Sequence, residues 1–212
     1  VANLIIGAFI TILNQTLLVT AVPSIMADLD IPFSTAQWLT TGFFLVNGIM
    51  IPVTAFLINK FTTRKLYIFA MILFTVGTLI AAVSPIFPIL LVGRIVQAAA
   101  AGIMMPLTMV VLLKMFPAEK RGRAMGLFGL IIGFAPAIGP SLSGYIVEIW
   151  PWRTLFIIVA PFAALNILFA YKFMRNVTET TDPPVDYLSI ILSTLGFGGM
   201  LYGFSVAGIS GW

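Results

Sequence analysis

Seven runs of apolar residues dominate the sequence, and each is close to the ~20 residues that a helix needs to cross a bilayer. They lie at about residues 3–26, 36–58, 66–84, 87–113, 123–147, 153–173 and 187–208. Of the 212 residues, 60% are hydrophobic and 8% are charged, whereas a soluble domain carries about a quarter charged residues. No soluble core could absorb so much apolar surface, so the sequence predicts an all-α polytopic membrane protein.

Positive charges are concentrated on one side of this pattern. If the N-terminus is cytoplasmic, nine of the eleven Lys and Arg residues lie in cytoplasmic loops, one lies outside and one lies within the membrane. The cytoplasmic set is Lys60, Arg64, Lys65, Lys114, Lys120, Arg121, Arg123, Lys172 and Arg175. All four Trp residues then lie at the outer boundary. The positive-inside rule thus predicts a multi-pass protein with a cytoplasmic N-terminus and residue 212 on the outer side.

One arginine lies well inside the fourth run. Arg94 cannot lose its charge at any working pH, and a charge near the bilayer centre costs at least ~2.5–3.5 kcal/mol on insertion scales. We therefore expect Arg94 to face a polar cavity between helices, through which solutes move. The alternative is that Arg94 snorkels to the outer face, because it lies only six residues after Pro88, or ~9 Å along a helix.

Amide side chains mark two other spans besides the fourth. Asn14 and Gln15 lie in the first run, Asn47 lies in the second, and Gln97 follows Arg94 by three residues. Residues at i and i+3 share a helix face, so we expect these five residues to line one substrate and proton pathway. Each amide could instead form a hydrogen bond between helices that only stabilises the bundle, worth ~0.6–2 kcal/mol.

The fifth run is rich in proline and glycine. Pro136 and Pro140 interrupt its backbone hydrogen bonds, which neighbouring helices, hydroxyls or water must then satisfy. Small residues such as Gly133, Gly139 and Gly144 allow another helix to approach closely. We expect a bent surface that moves in a conformational change, with ordinary tight packing as the alternative.

The chain divides into three predicted parts. Residues 1–173 form a six-helix bundle, 174–186 a cytoplasmic linker and 187–212 a seventh transmembrane helix. Asn14 to Pro23 in the first run and Gln97 to Pro106 in the fourth have the same nine-residue spacing. This spacing favours two inverted repeats of three helices each, an arrangement that many transporters use.

Catalysis and metal binding are disfavoured by the residues that the sequence lacks. The sequence has no Cys and no His, which removes the commonest metal ligands. No Asp or Glu lies clearly inside an apolar run, so acid–base chemistry has little to build on. The basic residues are spread over short loops, which argues against nucleic acid as a partner. We predict no enzyme activity, no metal and no cofactor.

Five motifs occur in order on the predicted spans: Asn14-Gln-Thr-Leu-Leu-Val-Thr-Ala-Val-Pro23, Phe56-Leu-Ile-Asn59-Lys60-Phe-Thr-Thr-Arg64-Lys65, Leu90-x-x-x-Arg94-x-x-Gln97, Gly139-Pro140-x-x-Ser143-Gly144 and Pro151-Trp152-Arg153-x-x-Phe156. Together they make the chain resemble the N-terminal half of the major facilitator superfamily. The resemblance is to the fourteen-helix drug:proton antiporters, in the lincomycin-resistance and multidrug-efflux branch.

The resemblance implies a fold and an activity. The fold would be a six-helix bundle of two three-helix repeats plus one further transmembrane helix, with the C-terminal half absent. The activity would be efflux of amphipathic small molecules by alternating access, driven by the proton gradient across a bacterial plasma membrane. Gly139, Pro140 and Gly144 would form the antiporter motif, and Asn59, Lys60, Arg64 and Lys65 a cytoplasmic gate loop.

The chain also departs from the family pattern. Asn14 replaces the usual Asp of the first motif, Asn59 replaces an Asp of the gate loop, and Ala98 and Ser143 replace glycines. An intramembrane carboxylate is the obvious proton carrier, so the acid would have to lie in the other half of the protein, or coupling would work differently. An importer or uniporter of a metabolite, and a membrane sensor that does not transport, remain alternatives.

Overall fold

The computed structural model describes residues 2–177 and, beyond them, residues 191–192, 194–196, 198–200 and 202–203. Residues 2–177 form seven helices: α1 (Ala2–Leu29), α2 (Phe33–Ala36), α3 (Trp38–Lys60), α4 (Thr63–Ala82), α5 (Phe87–Met115), α6 (Ala118–Ile149) and α7 (Arg153–Phe173). Six spans in this part of the chain are long and apolar enough to cross a membrane, α2 and α3 together forming one. The first six predicted runs are therefore confirmed.

Proline sets where two of the helices begin. Pro32 and Pro117 hold an extended backbone directly before α2 and α6, as proline does where it opens a helix. The helix α6 begins five residues before the predicted run and includes Lys120 and Arg121. Its helical backbone thus continues beyond the apolar segment.

Prolines also occur inside the helices, at Pro23, Pro52, Pro106, Pro136, Pro140 and Pro161. A proline within a helix leaves the carbonyl four residues earlier without its N–H donor. For Pro106 this carbonyl belongs to Gly102, and the hydroxyl of Thr54 on α3 donates to it at 3.1 Å. A neighbouring helix thus satisfies the carbonyl, as proline in a membrane helix requires.

The packing of the six spans follows the pattern that two three-helix repeats predict. The helix α1 packs on α6, and α3 packs on α5. When the first repeat (α1, α3, α4) is matched with the second (α5, α6, α7), the pair α1 and α6 corresponds to the pair α5 and α3. Each pair contains a hydroxyl-to-carbonyl hydrogen bond, from Thr54 to Gly102 and from Ser143 to Leu17 at 2.6 Å. The third helices of the two repeats, α4 and α7, also pack on each other.

Hydrogen bonds join α1, α4 and α7 at one end of the bundle, where α1 and α4 end and α7 begins. Arg153 forms an ion pair with Asp28 at 2.6 Å, and its Nε and Nη2 atoms donate to the Ser84 carbonyl at 3.0 and 2.8 Å. The indole of Trp152 also donates to Asp28, at 3.1 Å. Towards the opposite ends of the same helices, the buried Tyr67 hydroxyl contacts both the Asn3 carbonyl and the Asn166 side chain. These contacts tie the three helices into one unit.

The seventh predicted run, at about residues 187–208, lies largely outside the described residues. Those of its residues that are described are helical. The Tyr202 ring lies 6.4 Å from the Trp38 ring at the start of α3. The linker at 174–186 and the seventh span remain predictions.

Candidate transport pathway

The side chain of Arg94 lies in the middle of the bundle and is 1% exposed. Its Nη1 atom donates to the amide oxygens of Asn14 on α1, at 3.1 Å, and of Gln97 on α5, at 2.9 Å. The guanidinium therefore points into the protein, and the snorkelling alternative is wrong. Groups of the described residues enclose the guanidinium, and a polar cavity beside Arg94 stays a prediction.

A hydrogen-bonded chain continues from Arg94 across two helices. Gln97 accepts from Arg94 and donates through Nε2 to the Thr78 hydroxyl on α4 at 2.8 Å. Thr78 in turn donates to the Phe74 carbonyl at 2.7 Å. Because the Gln97 oxygen accepts from Arg94 and the Gln97 N–H donates to Thr78, the orientation of the Gln97 amide is fixed. We call Asn14, Thr78, Arg94 and Gln97 the Arg94 cluster.

The fold brings α4 and α5 close enough for this chain because small residues line their contact. A Cβ at Gly77 would lie 2.8 Å from the Gly93 carbonyl, and one at Gly93 would lie 2.9 Å from the Gly77 carbonyl. Both distances are shorter than real side-chain contacts. The two backbones therefore meet directly one residue away from Thr78 and Arg94.

The Arg94 cluster contains no carboxylate. Among the described residues, the acids are Asp28, Asp30, Glu119 and Glu148, and all four lie at or near helix ends. The ion pair in this part of the chain joins Asp28 at the end of α1 to Arg153 at the start of α7. Arg94 is therefore a buried cation held by neutral groups, and its Nε atom has no hydrogen-bond partner among the described residues.

The other two predicted pathway residues lie outside this hydrogen-bonded cluster. Gln15 is half-buried on α1, one residue along from Asn14 and so on a different face. Asn47 is half-buried on α3, where its backbone packs against Gly102 of α5. The structure thus joins three of the five predicted residues and leaves these two apart from them. Thr78 was missed because a threonine in an apolar span carries no signal of its own.

The predicted gate loop divides into two parts. Arg64 donates to the Tyr171 carbonyl at the end of α7 and lies over the Tyr171 ring, 5.1 Å from its centroid. Asn59, Lys60 and Lys65 are exposed, and Asn59 donates only to its own helix, at Ala55. Arg64 therefore joins α4 to α7, while a gating role for the loop remains a prediction.

The motif of α6 forms its contact with α1. A Cβ at Gly139 would lie 2.8 Å from the Thr16 Cβ and closer still to its hydroxyl, so only glycine fits there without displacing α1. A Cβ at Gly144 would lie 4.0 Å from the Thr20 Cγ2 atom, which is ordinary contact. Pro140 is exposed. Of the three motif residues, Gly139 is the one that sets the distance between α1 and α6.

Six apolar spans around a buried arginine cluster define a polytopic membrane protein of the transporter type. A family model of the Major Facilitator Superfamily matches residues 4–212. The chain belongs to this superfamily, a class of transporters rather than enzymes.

Three curated relatives give the branch of the family. The chain is 58% identical to the uncharacterized MFS-type transporter YcnB of Bacillus subtilis, covering 100% of this chain and 45% of that protein. It is 47% identical to the lincomycin resistance protein LmrB of Listeria monocytogenes, with the same coverages. It is 32% identical to the multidrug export protein EmrB of Haemophilus influenzae, covering 91% of this chain and 38% of that protein.

The fold is also similar to solved structures. A crystal structure of the peptide transporter POT in complex with sulfate superposes with a TM-score of 0.76 at 13% sequence identity, covering 99% of this chain and 46% of that one. At this identity the similarity concerns the fold alone. The chain thus spans 38–46% of the length of these relatives and of this solved structure.

Proposed function

We propose that the chain is the N-terminal half of a bacterial plasma-membrane exporter of amphipathic small molecules. Export would occur by alternating access and would be driven by proton entry. Membership of the superfamily and similarity to relatives named for lincomycin resistance and multidrug export support this proposal. The second half of the protein would complete the pathway, in keeping with the 45% coverage of the relatives.

The observation that carries the proposal is the buried Arg94 cluster. A charged group buried within a membrane span without a carboxylate partner is expensive, and such groups mark ion and substrate pathways. Packing alone would not require an arginine at this position. Asn14, Gln97 and the half-buried Asn47 and Gln15 supply polar groups on α1, α3 and α5, where the two halves would enclose the substrate.

The helix α6 supports the same proposal from outside the cluster. Its apolar side chains Leu130, Phe134 and Tyr145 are 60–70% exposed in this half of the protein. Its inner face is fixed to α1 through Gly139 and Ser143. The exposed face of α6 would be the contact on which the second half rocks.

Replacement of Arg94 tests the proposal. Arg94→Ala in the complete transporter, expressed at the wild-type level in a susceptible host, is expected to lower lincomycin resistance to that of the empty host. Arg94→Lys is expected to lower resistance as well, because an ammonium cannot reproduce the guanidinium fork. Arg123→Ala, at an exposed cytoplasmic position, is the matched control and is expected to retain resistance. Resistance unchanged by Arg94→Ala would remove Arg94 from the mechanism.

A further inference from the structure

We infer that the ring of Phe43, and not a carboxylate, is the group that positions the charged guanidinium of Arg94 within the bundle. Phe43 lies on α3, which contributes no hydrogen bond to Arg94. The guanidinium carbon lies 4.5 Å from the centroid of the Phe43 ring. The consequence for transport rests on the proposed function, but the contact itself does not.

The geometry is that of a desolvated cation–π contact. Both side chains are 1% exposed, and the attraction between a cation and an aromatic face is strongest where water is excluded. Arginine also stacks well on aromatic faces because its guanidinium is planar and weakly hydrated. The ring therefore supplies part of the stabilisation that a buried cation loses with its hydration shell.

The helix α5 forms a slot that fits the ring. Phe43 packs against Ala98 and Ala101, which lie one and two turns after Arg94 on the same helix, and against Val46 of its own helix. Small side chains at these two positions leave the space that the ring occupies beside the guanidinium. The neighbouring Phe44 is 50% exposed and makes only an edge contact with Phe43.

An aromatic ring and a carboxylate have different effects on Arg94. A carboxylate would form a fork-shaped ion pair and neutralise the charge. The ring attracts the guanidinium but leaves its positive charge uncompensated. With the amide of Asn14 as the hydrogen-bond acceptor on α1, Arg94 is held in place without being neutralised.

Two variants of Phe43 test this role in the complete transporter. Phe43→Leu keeps an apolar side chain but removes the aromatic face, and is expected to lower the export rate about tenfold, since a buried cation–π contact is worth about that factor or more. Phe43→Tyr keeps the ring and is expected to retain export within about twofold. Phe44→Leu is the matched control and should export like the wild type. Equal loss in Phe43→Leu and Phe43→Tyr, or no loss in either, would overturn the inference.

A second substitution separates positioning from packing. Asn14→Asp places a carboxylate at the atom that already accepts from Arg94, so it is expected to restore export to Phe43→Leu. Asn14→Asp does not change the size of the side chain on α1, so it would not fill a cavity left by a merely structural ring. Failure of Asn14→Asp to restore any export to Phe43→Leu would contradict the inference.

A stability measurement keeps the inference testable if the wild type exports nothing and the proposed function fails. The melting temperatures of Phe43→Leu, Arg94→Gln and the double variant form a double-mutant cycle. The inference predicts that Phe43→Leu lowers the melting temperature clearly in the presence of Arg94 and much less in its absence. Additive shifts would show that the two residues do not interact and would overturn it.

Discussion

At the scale of single residues, the Thr54 hydroxyl donates to the Gly102 carbonyl, which has no N–H donor because Pro106 lies four residues later. Thr54 donates from a fully buried position to both Met50 on its own helix, at 2.7 Å, and Gly102 on α5, at 3.1 Å. The second acceptor has lost its own N–H donor to the proline. The hydroxyl therefore satisfies a group that lipid could not.

Thr54→Val tests this reading of a buried hydroxyl. Valine has nearly the same shape but leaves the Gly102 carbonyl unpaired, which costs about 1–3 kcal/mol for a buried polar group. Thr75→Val is the matched control, because the Thr75 hydroxyl donates only to Met71 of its own helix. Thermal unfolding in detergent should show a clearly lower melting temperature for Thr54→Val than for Thr75→Val. Equal melting temperatures would contradict the role of Thr54.

Residue types and spacing predicted part of the site. The i, i+3 spacing predicted that Gln97 lies beside Arg94, and the two side chains do form a hydrogen bond of 2.9 Å. Phe43 and Thr78 could not be found in this way, since a phenylalanine or a threonine in an apolar span is ordinary. Their roles depend on how α3 and α4 are placed beside α5, which packing decides and sequence periodicity does not.

At the scale of helices, the distance between α1 and α6 depends on a single residue. Gly139 lies against Thr16, and Ser143 one turn later donates to the Leu17 carbonyl. The two contacts act together, because the hydrogen bond at 2.6 Å needs the approach that glycine permits. This helix pair corresponds to α3 and α5 in the other repeat, where Gly102 has the same function against Met50.

Gly139→Ala is expected to force α1 and α6 apart and to lower stability by about 1–3 kcal/mol, the usual cost of overpacking. Gly122→Ala near the start of α6 is the control, because a Cβ there would meet nothing within 4 Å among the described residues. Alanine is also the better helix former by ~1 kcal/mol, so the control should match or exceed the wild type in melting temperature. A melting temperature of Gly139→Ala at or above that of Gly122→Ala would refute the close contact.

The number and order of the helices followed from bilayer thickness, which requires ~20 apolar residues for each span. Helix ends did not follow from it, as the early start of α6 at Ala118 shows. Helix rotation did not follow either. Asn47 was predicted to line one pathway with Arg94, which stays a prediction: the approach of α3 to Gly102 places the Asn47 backbone against α5 and leaves its side chain half-buried.

At the scale of the whole molecule, the six spans have unequal connections. The helices α1, α4 and α7 are joined at both ends, by Arg153 and Trp152 at one end and by Tyr67 and Arg64 at the other. The Arg94 cluster joins α1, α4 and α5 between these ends. A half connected in this way would move as a rigid body against its counterpart, which is what alternating access by rocking requires.

Proton-driven transport in proteoliposomes tests the central claim most directly. The complete transporter is reconstituted with a fluorescent amphipathic substrate, and a pH gradient is imposed across the vesicle membrane. We predict that the substrate moves in the direction opposite to proton flow. This movement is expected to be lost when a protonophore is added and to be absent in Arg94→Ala. Substrate movement that is indifferent to the protonophore, or equally fast in Arg94→Ala, would contradict the account.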